Sequence, residues 1–291
     1  RKHCKWDRYQ ILQCYMVMGG IPFYLSLIDP RQSLVQNVDR LFFSHGGIMR
    51  GEFDELYNAL FSNAELYISV VKALAQHHDG MTRTEISKVI GANGGTLTRV
   101  LTNLERCDFI SRSQNFGCKT KDTIYRLMDF YTLFYYKFIA QDTSGDEQWW
   151  SHNFESRLVS TWQGLTFEIV CLMHTDCIKK ALGISGMATE VSSWRKVADD
   201  KQRGGQIDLV IKRADRIVHL CEMKFSKSEY RITDAYEQLL RQRMELFQSS
   251  TKTKLSLVIT FVTTYGVADG LHHSIVHSEV TMSQLFIRNV T

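Results

Sequence analysis

Residues 204–213 read GGQIDLVIKR, and residues 216–225 read RIVHLCEMKF. Both are apolar, β-branched runs joined by a short Ala214-Asp215 step, so the spacing predicts two adjacent strands. Asp208 enters near the start of the first strand, just after a glycine pair that permits close backbone approach. Side chains alternate along a strand, so Glu222 and Lys224 point to one face while Ile217, His219, Cys221 and Met223 point to the other. Two charged groups on the same side of an apolar strand are costly to bury unless they bind something. An Asp, then thirteen residues, then Glu-x-Lys can hold a divalent metal and a water. The carboxylates supply hard oxygen ligands for Mg²⁺ or Mn²⁺, and the lysine orients the water or steadies phosphate charge. A structural ion-pair cluster is the competing reading of the same three residues.

Outward from these strands the pattern stays α/β. A long helix over about 156–182 and the β-like ATEVSSWRK (188–196) come before them. An amphipathic helix over about 233–248, the apolar LSLVITFV (255–262), and a short terminal strand and helix come after. Strands interleaved with helices imply a mixed sheet. Glu168 lies in the long helix, three residues after Leu165 and four before Leu172, at the edge of the apolar stripe. It can look toward the same sheet end as Asp208, or it can be a surface carboxylate. Gln238, in the following helix, could orient phosphate or water, but an ordinary amphipathic-helix glutamine is the better reading. His272, His273 and His277 include an i, i+4 pair, but no acidic or cysteine partner adjoins them, so they read as surface or core histidines.

The preceding half is helical. QDTSGDEQ (141–148) is polar and acidic and reads as a linker within 141–152, and RLMDFYTLFYYKFIA (126–140) as an aromatic helix packed in a core. Over 61–125, Tyr67, Val70, Val71 and Leu74 mark one helix, and Thr82 with Glu85 makes a capping box for a second. Leu97, Val100, Leu101 and Leu104 form the inward face of a third, and two strands flank a loop at Gly117. Helix, turn, helix and β-hairpin make a winged helix-turn-helix. Thr96, Thr98, Arg99, Thr102 and Asn103 would face outward, with Arg112, Lys119 and Lys121 on the wing, as suits contact with DNA. A protein-docking or spacer module has the same pattern. Residues 1–60 read as short helices broken at Gly19-Gly20 and Gly46-Gly47, with Leu34, Val38, Leu41 and Phe42 on one face.

The chain has 291 residues, 44% of them hydrophobic and 23% charged, which excludes wholesale disorder. No run of 18 apolar residues suggests a membrane span. The seven cysteines are scattered and never form CxxC, which suits reduced thiols in the cytoplasm. Net charge is +4, and residues 94–126 and 195–231 carry more than all of that excess. Two local basic surfaces suit an anionic partner such as DNA, though solvated faces of an ordinary enzyme look similar.

Glu168, Asp208 and Glu222-Met223-Lys224 together resemble the PD-(D/E)XK nuclease superfamily, the restriction-endonuclease-like fold, with Ile207 where the motif's proline would stand. GGIPFYLSLID (19–29), GEFDELYNALF (51–61), the winged-helix pattern and TIYRLMDFYTLFYYKFI (123–139) resemble the region beyond the ATPase core in archaeal-type AAA/STAND P-loop ATPases. The resemblance implies an α+β multidomain chain: a lid-like helical segment (1–60), a winged helix with its aromatic helix (61–140), a linker (141–152) and a nuclease-like domain (153–291). It also implies Glu168, Asp208 and Glu222 as metal ligands and Lys224 as the residue assisting water in phosphodiester hydrolysis. No glycine is followed by lysine, so no GxxxxGK[ST] loop is present and no nucleotide-binding residue is expected here. Together with the missing initiator Met, this suggests the C-terminal portion of such an ATPase, with ATP and the ATPase core as partners in a longer parent. The alternative is a non-catalytic nucleic-acid or protein sensor that regulates that ATPase.

Overall fold

The computed structural model describes residues 5–118, 123–198 and 204–286. It divides into two units, Arg1–Arg112 with Ile124–Thr166, and Ser113–Thr123 with Phe167–Thr291.

The first unit is mostly helical. Helix α1 (Arg8–Met18) starts at Asp7, whose carboxylate accepts from the Gln10 amide while the Gln10 side chain returns the bond. Helices α2 (Ile48–Leu60) and α3 (Ala64–Ala75) follow. Strand β1 (Met81–Thr82) leads into α4 (Arg83–Ile90), and the expected Thr82–Glu85 capping box is present. Helix α5 (Gly94–Arg106) buries Leu97, Val100, Leu101 and Leu104, as its spacing predicts. Strands β2 (Ile110–Ser113) and β3 (Ile124–Leu127) complete a three-stranded sheet in the order β1-β3-β2. β1, only two residues long, carries no periodicity in the sequence.

Aromatic packing holds the core of this unit. Phe134 contacts Phe42, Phe138, Trp150 and Trp162 with ring centroids 4.7–5.4 Å apart. Such pairs add about 0.5–1.5 kcal/mol beyond their area. The aromatic segment 126–140 opens as a strand end and continues as one helical run, α-helical over Phe130–Phe134 and π-helical over Tyr135–Ile139, so the expected aromatic helix is present in shortened form. The polar stretch 141–148 lies inside this unit and is not a boundary. Asp142 pairs with Arg50 at 3.2 Å, and Glu147 accepts from the His45 amide at 2.8 Å. The division falls further on, within α6 (Arg157–Met173), after Thr166. A second short helix, Thr175–Ala181, replaces the rest of the expected 156–182 helix.

The second unit is built on five strands in sequence order: β4 (Thr189–Lys196), β5 (Gly205–Arg213), β6 (Ile217–Lys224), β7 (Ser256–Thr263) and β8 (Val276–Thr281). β4, β5 and β6 pair antiparallel, whereas β6, β7 and β8 pair parallel, so the sheet is mixed as expected. The β6-to-β7 crossover is helix α7 (Asp234–Thr251). Its Leu240 and Phe247 pack on Val210, Val218, Leu220, Ile259 and Phe261. Residues 114–116 also belong here. Ser193 on β4 donates to the Gln114 carbonyl and accepts from the Phe116 amide, while the Asn115 side chain bonds both backbone groups of Arg195. Among the described residues no helix is long and apolar enough to cross a membrane.

Candidate functional site

Glu222 and Lys224 do share a face of β6, and the structure shows what occupies it. Lys224 Nζ stands 2.8 Å from Glu222 Oε1. The Tyr236 hydroxyl donates to the same oxygen, and Arg243 Nη1 stands 2.5 Å from Oε2. The Lys224 ammonium also lies 5.0 Å from the centroid of the Tyr236 ring. Tyr236, Leu240, Arg243 and Phe247 fall at i, i+4, i+7 and i+11 on α7, which is why a tyrosine and an arginine reach the sheet beside two core residues. Burial pushes the Glu222 carboxyl up, but the adjoining Lys224 and Arg243 charges outweigh it and hold the group below its ordinary value.

Asp208 does not follow the simple alternation. The β4–β5 register runs Ser192↔Val210 and then Trp194↔Ile207, so Asp208 and Leu209 stand together against Ser193. This is a β-bulge. In consequence Ile207 and Val210, three apart, both enter the core beneath α7. The Asp208 carboxylate accepts from Gln206 Nε2 at 2.7 Å. The glycine pair does allow close approach, since a Cβ on Gly204 would stand 2.8 Å from the Lys196 carbonyl oxygen. Glu168 is half-buried on α6, where its charge, after burial, pushes the Cys171 thiol up.

The fit to Mg²⁺ or Mn²⁺ can be tested on these contacts. Both oxygens of Glu222 already have cationic partners. Among the described residues no three Asp, Glu, His or Cys side chains assemble as a metal-binding group. A hard divalent ion needs several oxygen ligands free of competing cations. As arranged, the residues do not fit that ion. The ion-pair cluster is the geometry observed for Glu222 and Lys224.

Sequence reasoning missed Tyr236 and Arg243, whereas Gln238 is the ordinary amphipathic-helix glutamine expected, exposed and bonded to Asp234 at 2.9 Å. The available signal was a polar residue on the apolar stripe of an amphipathic helix. The histidines also differ from expectation, because both acquire acidic partners. His272 Nδ1 lies 2.7 Å from Glu237 and His273 Nε2 lies 2.8 Å from Glu279, brought close by the fold from α7 and β8.

On α5, Thr96, Thr98 and Arg99 are exposed, whereas Asn103 turns inward and donates to the Tyr67 hydroxyl at 2.8 Å. Arg112 pairs with Glu105 at 2.8 Å while remaining largely solvent-facing. Lys119 and Lys121 lie outside the described residues. Comparison with protein-family models, curated proteins and solved structures finds no match, so the residues themselves carry the functional argument.

Proposed function

We propose that this chain is a nucleic-acid-engaging part of a P-loop ATPase. In this reading the first unit carries a winged helix, and the second a PD-(D/E)XK-like domain that senses nucleic acid without cutting it. The occupied carboxylate carries the non-cutting part. Glu222 spends both oxygens on Lys224 and Arg243, so the side chain a metallonuclease needs as a ligand is neutralised from within. The exposed Thr96, Thr98 and Arg99 on α5 supply hydroxyl and guanidinium donors for backbone phosphate. ATP would be handled by the core of the longer parent.

Mg²⁺- or Mn²⁺-dependent hydrolysis of DNA is the second reading. It is favoured by the succession α6, β4, β5, β6, α7, β7, which sets Asp208 on the strand beside Glu222 and Lys224. One experiment separates the two: retention on plasmid, linear and branched DNA at stepped salt, followed by incubation with Mg²⁺ or Mn²⁺. Salt-sensitive retention without cleavage is expected. Cleavage that disappears in Asp208→Ala replaces the sensing reading with the hydrolytic one, and absence of retention removes nucleic acid as the partner.

A further inference from the structure

We propose that Lys224, Arg243 and the Tyr236 hydroxyl form a binding site for a backbone phosphate of a nucleic-acid strand, and that Glu222 occupies it as the protein's own anion. This rests on the reading of the second unit as nucleic-acid-engaging and adds the groups that touch the strand. Three donors from two elements converge on one carboxylate: an ammonium from β6, and a hydroxyl and a guanidinium from α7. Carboxylate and phosphate present the same kind of charged oxygen to such donors, and a guanidinium accepts either.

The charges do not balance among the contacting groups. Among the groups touching Glu222, two cations meet one anion, so those contacts carry a local positive excess that suits an anion. Exposure points the same way. The Lys224 and Arg243 side chains keep 26% and 25% of their surface in solvent, against 12% for Glu222, so the donors are reachable while the internal anion sits deeper. A strand phosphate enters by taking over the donors, and the displaced carboxylate turns toward solvent.

The test uses the full chain with two probes, inorganic phosphate followed by calorimetry and a labelled 20-base DNA strand followed by anisotropy. Removing the internal anion in Glu222→Gln should tighten both by at least tenfold. Adding Arg243→Gln in that background should erase the gain, because it deletes one of the two cations. An unchanged affinity for phosphate in Glu222→Gln overturns the proposal, and so does a gain for phosphate with none for the strand. If Glu222→Gln does not fold, Arg243→Gln in the otherwise native chain should weaken strand binding at least threefold, and unchanged binding overturns the site. The broader nucleic-acid reading fails separately, through loss of all DNA retention by the unmodified chain.

Discussion

The guanidinium of Arg243, carried on α7, stands 2.5 Å from a carboxylate oxygen of Glu222 on β6. The two residues are 21 positions apart and meet only because α7 crosses back over the sheet. Their pairing turns an expected metal ligand into half of an ion pair, and it sets the first prediction.

Glu222 is held below its ordinary value of 4.5, so the unfolded chain binds its proton more readily than the folded one. Its contribution is therefore fully present above that ordinary value and is lost as pH falls through the lower folded value. Glu222→Ala should cost about 3 kcal/mol at neutral pH, because it strands two partly buried cations. Chemical denaturation at pH 7 and again below pH 4 should show the difference between variant and parent shrinking in acid.

His219 gives a second pH signature in a different window. Burial, then the Arg213 and His277 charges, lower its pKa from 6.5 to about 4. The residue is 2% exposed, and Nδ1 lies 2.8 Å from Thr260 Oγ1. The neutral ring suits the fold, so stability is whole above pH 6.5 and falls as pH drops toward 4. His219→Gln, which cannot take up the proton, should flatten the slope of melting temperature between pH 6.5 and 4.5 relative to the parent.

Asn115 bonds the Arg195 backbone at 2.9 and 3.2 Å, fastening residues 114–116 along the β4 edge. Asn115→Ala should cost about 1–2 kcal/mol, since it removes two hydrogen bonds and leaves their backbone partners short. Amide exchange over Thr189–Lys196 should accelerate while that of β7, three strands away, stays unchanged. Uniform acceleration across the sheet would mean the segment is part of the global fold and not a local clasp.

Arg99 is exposed on the outer face of α5. If it meets phosphate, Arg99→Glu should weaken duplex binding alike on unrelated sequences and reduce the salt slope by about one or two charges. Binding titrations at four salt concentrations check this, with Leu104→Ala as the contrasting change. Leu104 is fully buried, so its truncation should cost about 2–5 kcal/mol of stability instead.

Much of the architecture follows from local chemistry that is legible residue by residue. The Thr82–Glu85 box, the buried Leu97, Val100, Leu101 and Leu104, and the strands around Ile211 and Leu220 all express periodicity or capping within a few residues. Glu222 and Lys224 share a face for the same reason, since alternation is a property of the strand alone. What needed the tertiary structure are relations between distant residues. The bulge at Asp208 arises from pairing with Ser193 on another strand, and nothing in the local run Gln206-Ile207-Asp208-Leu209 announces it. The 141–148 stretch has a linker's composition, yet Arg50 and His45, 92 and 102 residues before their partners, tie it down. Asp208, Glu222 and Lys224 carry metal-site chemistry in one dimension. A carboxylate's partner is whichever charge the fold brings nearest, and here that is Arg243, delivered by the phase of a helix that could be read and the direction of a crossover that could not.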